Sequence, residues 1–106
     1  MNTNLETILS RLRHQLEGLY GPNLVGLYLY GSQARGEAVP GSDIDMLVVL
    51  AELDSPAKEI HRTSEIVSWL SLENDVVISC VFISQDQFVS EQSPFLMNVQ
   101  REGVPV

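Results

Sequence analysis

The chain has 106 residues, 44% of them hydrophobic, and carries a net charge of −8 from 14 acidic and six basic residues. That length suits one compact domain, residues 1–106, and no apolar run is long enough to cross a bilayer. The basic residues, Arg11, Arg13, Arg35, Lys58, Arg62 and Arg101, are too few and too scattered to grip a nucleic-acid backbone, so the charge argues against DNA or RNA and for a cationic small molecule or a basic protein as partner.

The N-terminal segment MNTNLETILS lacks the charged-then-apolar pattern of a signal peptide, and a single cysteine, Cys80, rules out an internal disulfide, so a cytoplasmic protein is expected. Thr3-x-x-Glu6 reads as a capping box that opens a first helix. Its apolar positions Leu5, Ile8, Leu9, Leu12, Leu16 and Leu19 fall at helical spacing and mark a core face. Gly21-Pro22-Asn23 turns the chain into Leu24 to Tyr30 (LVGLYLY), an apolar, aromatic run of strand length. Tyr28 and Tyr30 alternate with Leu27 and Leu29, so at least one of these pairs packs in a core.

The first strand ends at Gly31, where glycine lets the chain bend sharply and lets a ligand approach the main chain. The amides from Ser32 onward can point at an anion, and Ser32 adds a hydroxyl donor. A short helix (SQARGEA) and a Pro40-Gly41 turn follow, and then Ile44 to Leu50 (IDMLVVL) forms a buried second strand. Its period of two places Asp43 and Asp45 on one face. Side by side and unpaired they repel, and with no Lys or Arg within several residues after them a divalent cation is the favoured remedy; Mg²⁺ suits such hard oxygen ligands when nucleotide phosphates complete the shell. Gly31 closes one strand and Asp43 opens the next, so the groups meet only if the two strands run antiparallel.

Farther along, Pro56 to Leu72 reads as one long helix that turns Ile60, Ile66, Val67 and Leu70 toward the sheet, with Trp69 packed beside them. It is long enough for a crossover that makes the third strand, Val76 to Ile83, parallel to the second. The N-terminal end of that strand would then lie beside Asp43, and Asp75, Val77 and Ser79 would share a face, with Ser79 in the inner position. Cys80 reads as a small buried residue. Ser84-x-x-Gln87 caps one short helix, and Ser93-Pro94 starts another that ends at Gly103 and covers the sheet with Phe95, Leu96, Met97 and Val99. His14 and His61 have no matching ligand set.

Gly31-Ser32, ten residues, then Asp43-x-Asp45, within GSQARGEAVPGSDIDMLVV, resembles the signature of the DNA polymerase β-like nucleotidyltransferases, and among them the minimal (MNT) branch. The ending SPFLMNVQREGVPV is similar to that of MNT proteins encoded beside HEPN-domain partners. The resemblance implies an α/β (α+β) nucleotidyltransferase fold, a small mixed β-sheet with helices packed on it in the order α-β-α-β-α-β-α. It implies that Gly31 and Ser32 hold the phosphates of a nucleoside triphosphate and that Asp43 and Asp45 bind Mg²⁺. A third carboxylate, for which Asp75 is the available candidate, would help to activate the acceptor. Arg35 could meet a phosphate through its planar guanidinium, or neutralise Glu37 or Asp43.

The implied activity is transfer of AMP from ATP to a tyrosine hydroxyl of a HEPN toxin, by the antitoxin of a type VII-like toxin–antitoxin pair, in a hetero- or homo-oligomer. The alternatives are a non-catalytic antitoxin that neutralises its partner by complex formation, and a small-molecule (aminoglycoside-like) nucleotidyltransferase. The last needs an acceptor pocket that so short a chain barely provides.

Overall fold

A computed structural model of the chain describes residues 3–39 and 41–106. The capping-box expectation rests on the Thr3 side chain and the expected turn on Pro40, both outside what is described. Helix α1 (Thr3–Tyr20) is followed by a 3-10 turn at Gly21–Asn23 and strand β1 (Leu24–Tyr30). The short α2 (Gly31–Arg35) leads through a loop to β2 (Ile44–Leu50). Helices α3 (Pro56–Arg62) and α4 (Ser64–Asn74) precede β3 (Ile78–Ser84), and α5 (Gln85–Ser90), α6 (Pro94–Glu102) and the two-residue β4 (Val104–Pro105) complete the chain.

The sheet has the order β3-β2-β1-β4. β1 runs antiparallel to β2 and to β4, while β2 and β3 are parallel, as a helical crossover between them requires. β2 is central, which explains its nearly unbroken apolar run. Even-numbered β2 residues Ile44, Met46, Val48 and Leu50 face a core built with Leu5, Ile8, Leu12 and Leu16 of α1, Leu70 of α4 and Leu27 and Leu29 of β1. Odd-numbered Leu47 and Val49 face the other side, where Ile83, Leu96 and Val99 cover them and Tyr28, Tyr30 and Phe88 pack around the edge. Both alternating pairs on β1 are therefore packed, one on each face.

The region expected as one helix bends at Thr63 (φ −96°, ψ 0°) into α3 and α4. Thr63 Oγ1 donates to the Glu59 carbonyl at 2.9 Å and to that of Ile60 at 3.3 Å, a threonine back-bond of the kind that bends helices. The bend turns Glu59 and Thr63 inward and leaves Ile60 53% and Trp69 56% exposed, contrary to the amphipathic reading. Glu59 is held by the Tyr20 hydroxyl, which donates to its Oε1 at 2.7 Å, and by Arg62 at 3.6 Å. The Arg62 guanidinium also lies 5.2 Å from the centre of the Tyr20 ring.

The two expected serine caps are present: Gln87 N–H donates to Ser84 Oγ and Leu96 N–H to Ser93 Oγ, each at 3.2 Å. α6 buries Leu96 and Val99, but Phe95 is 40% and Met97 54% exposed, so the segment covers the sheet with one stripe only. β4 is an addition to the expected order. Val106 N–H donates to Leu27 O at 2.8 Å, which fastens the last residues to β1.

Candidate functional site

Antiparallel pairing puts Tyr30, the last residue of β1, opposite Asp45. The step from Tyr30 into α2 therefore lies over the start of β2. Gly31 has φ +77°, a left-handed conformation that side chains rarely adopt, and a β-carbon built on it would sit 2.5 Å from Asp45 Oδ2. Glycine is needed here for both its backbone angle and the approach of the Asp45 carboxylate. Ser32, the second residue of α2, uses its carbonyl to accept from Glu37 N–H at 3.0 Å, which closes the short helix.

Asp43 lies in the loop just before β2 and Asp45 inside the strand, on the face shared with Leu47. Removal from water, and then the charge of Asp43, push the Asp45 carboxyl above its ordinary range. The Tyr30 hydroxyl is likewise pushed up, first by burial and then by Asp45. Neither Asp43 nor Asp45 has an ion-pair partner among the described residues, and two such hard oxygen donors would suit a cation such as Mg²⁺.

Asp75 is placed differently from the expectation. It caps the C-terminus of α4 in a left-handed conformation (φ 52°, ψ 49°), exposed, and β3 begins three residues later at Ile78. It lines a surface cleft with Ser68, Ser71, Leu72, Val76, Val77 and, from the loop that leads to Asp43, Gly41. Among the described residues no group of three acids converges, so Asp75 is not gathered with Asp43 and Asp45. The β3 residue level with Asp45 is Ser79. Arg35 is also engaged elsewhere: its Nε donates to Glu37 Oε1 at 2.9 Å, and its Nη1 lies 3.7 Å from Glu102 on α6. Of the expected site residues, Gly31, Ser32, Asp43 and Asp45 converge at one end of the β1–β2 pair. Burial pushes the Cys80 thiol up to about 12, which keeps it protonated and unreactive.

A nucleotidyltransferase domain model matches residues 9–100. The chain belongs to this nucleotidyltransferase family. Protein adenylyltransferase MntA of Thermococcus cleftensis is 34% identical over 74 residues, 70% of this chain and 73% of its own. A provisionally named protein adenylyltransferase of Methanocaldococcus jannaschii is 38% identical over 58 residues, and that stretch is 55% of this chain but only 38% of the relative.

Among solved structures, a toxin–antitoxin complex with AMP-PNP superposes with a TM-score of 0.61 at 24% identity, covering 89% of this chain and 68% of the other. A tri-AMPylated Shewanella oneidensis HEPN toxin in complex with an MNT antitoxin gives 0.55 at 23% identity, covering 96% and 67%. At these identities the likeness speaks for the fold, a mixed sheet of nucleotidyltransferase type. Among the described residues no helix is long and apolar enough to cross a membrane.

Proposed function

We propose that this nucleotidyltransferase domain is a Mg²⁺-dependent protein adenylyltransferase that moves AMP from ATP to a tyrosine hydroxyl of a HEPN toxin, acting as its antitoxin in the cytoplasm. The observation that carries the reading is the convergence of Asp43 and Asp45 on the Gly31-Ser32 turn, with Asp45 Oδ2 against the Gly31 α-carbon. The named activities of the relatives support the protein substrate, and the AMPylated toxin bound to an MNT antitoxin supports the partner.

Asp43 and Asp45 would hold the metal, and Gly31 and Ser32 would place their amides and the serine hydroxyl on the β- and γ-phosphates. When bound, Mg²⁺ supplies positive charge that offsets the charge developing on the phosphates. The acceptor oxygen attacks the α-phosphorus in line, the bond from that phosphorus to the β-bridging oxygen breaks, and pyrophosphate leaves with the bonding electrons. The acceptor's proton passes to solvent as the new bond forms.

A second reading follows from the place of Asp75, which caps α4 in a left-handed conformation: a binding antitoxin that occludes its partner and keeps a slow or silent nucleotide site. Asp43→Asn with Asp45→Asn separates the two. A catalytic antitoxin loses protection against the toxin and stops adding AMP to it, whereas an occluding one keeps protection.

A further inference from the structure

The sheet has two edges, and they are built differently. At one, β4 has only two residues, the second being Pro105, which has no N–H to offer. Short length and proline are the usual means of blunting an edge strand. At the other, β3 runs seven residues, ISCVFIS, with no proline, no charge and no register shift against β2.

The hydrogen bonding fixes which backbone groups this edge presents. Ile44 N–H donates to Val77 O at 2.8 Å. Val77, Ser79 and Val81 therefore direct their main-chain groups at β2, while Ile78, Cys80 and Phe82 direct theirs outward. Ile78 N–H is taken by Ser71 Oγ at 3.3 Å, where α4 ends beside the strand. From Cys80 to Phe82 no described strand pairs with the outer side.

The side chains on the site face of this strand are open as well. Val77 is 55% and Val81 39% exposed, while Ile78 and Phe82 on the opposite face are buried. The apolar cluster that includes Leu96, Val99 and Phe88 takes in Ile83 but not Val81. An uncovered step thus runs along the edge to Ser79, the residue level with Asp45.

We propose that the open edge of β3 is the acceptor dock: an extended segment of the target protein adds to Cys80–Phe82 as a further strand and delivers its hydroxyl across Ser79 to the Asp43–Asp45 end. This rests on the transferase reading above. A residue of the added strand opposite Ser79 puts its side chain on the same face, two strand spacings, or about 10 Å, from Asp45. Serine and threonine hydroxyls end close to their own backbone, whereas tyrosine reaches across a neighbouring strand, so the geometry selects tyrosine. The occupant is cationic: the chain has a net charge of −8, and Asp43, Asp45 and Asp75 lie at this end of the sheet, so Lys or Arg flanking the tyrosine is attracted. The same charge opposes a second copy of this chain on the edge. Strand addition supplies affinity through the main chain, and Val77 and Val81 supply apolar contacts.

The test uses the full chain, MgATP and a library of short peptides, each with one central tyrosine flanked by lysines. AMP transfer is read by mass spectrometry, MgATP affinity by titration, and amide exchange at Cys80 and Phe82 with and without peptide. Cys80→Pro deletes one outward N–H, and Val81→Lys adds a repelling charge to the open step. The expected result is peptide-dependent protection of the Cys80 and Phe82 amides, and transfer reduced about tenfold or more in both variants at unchanged MgATP affinity. If Cys80→Pro does not fold, Val81→Lys and the exchange data decide. Equal transfer in the wild type and the folded variants, protection elsewhere, MgATP binding without any peptide bound or modified, or a strand-paired homodimer would each overturn the dock. A wild type that binds no MgATP overturns the transferase reading itself.

Discussion

The Asp45 carboxylate rests on the α-carbon of Gly31, so that a methyl group there would meet Oδ2 at 2.5 Å. The Gly31 turn and the start of β2 are thereby built as one unit. Gly31→Ala would both push Asp45 aside and force alanine to φ +77°. The backbone cost alone is about 1–2 kcal/mol. Urea denaturation should show that loss, and titration with MgATP should show affinity down by about tenfold or more. An alanine variant with wild-type affinity would mean that the turn does not hold the nucleotide.

Arg35 offers a cleaner dissection. Its ion pairs with Glu37 and Glu102 are on the surface, with the Arg35 side chain 41% exposed. Such pairs are worth about 0–1 kcal/mol. Arg35→Ala should therefore leave thermal stability nearly unchanged, and a fall in MgATP affinity would report a phosphate contact made at the expense of Glu37 and Glu102. Unchanged affinity would assign Arg35 to tying α2 to α6.

The Tyr20–Glu59 hydrogen bond gives a prediction away from the site. Burial, the hydrogen bond to Glu59 and its charge all raise the Tyr20 hydroxyl above its ordinary value of 10.0. A group raised on folding stabilises the folded chain fully below its unfolded value, and that contribution fades as the pH rises from about 10 through the folded value. Tyr20→Phe removes this alkaline dependence. It also leaves Glu59 without its closest donor, at a cost of about 1–3 kcal/mol at neutral pH. Urea midpoints at pH 7 and above pH 10 check both effects, and MgATP binding should be unaffected.

Ser79 and Asp75 form a paired test of the proposed metal site. Ser79→Asp places a third carboxylate level with Asp45, so Mn²⁺ counted by electron paramagnetic resonance in the presence of nucleotide should rise by one ion, while the metal-free protein loses stability from added like charge. Asp75→Asn should change neither the count nor the transfer rate. An effect of Asp75→Asn comparable to that of Asp43→Asn would mean that α4 unwinds to bring Asp75 in when substrate binds.

Local pattern sufficed where one interaction dominates. The spacing of Leu5, Ile8, Leu12 and Leu16, the serine caps at Ser84 and Ser93, and the antiparallel meeting of the Gly31 end of β1 with the Asp43 end of β2 follow from periodicity, hydroxyl capping and the shared use of one sheet end. Where distant groups compete, pattern alone falls short. Glu59 displaces Ile60 inward only because Tyr20, 39 residues away, and Arg62 satisfy its carboxylate. Asp75 reads as standing at the start of the strand Val76 to Ile83, but α4 needs a left-handed cap at its end, and Asp is among the few residues other than glycine that adopt one at modest cost. β4 exists because Val104 and Val106 join the core beneath β1, a tertiary event with almost no local signal in two residues.

The most direct measurement is transfer of label from ATP labelled at the α-phosphate, with Mg²⁺, to a HEPN-domain toxin supplied as the proposed partner, comparing wild type with Asp43→Asn. A catalytic antitoxin puts label on a tyrosine of that protein with the wild type and none with the variant. An unlabelled protein that is nevertheless bound and inhibited by both forms would contradict that reading and leave a binding antitoxin on a nucleotidyltransferase fold.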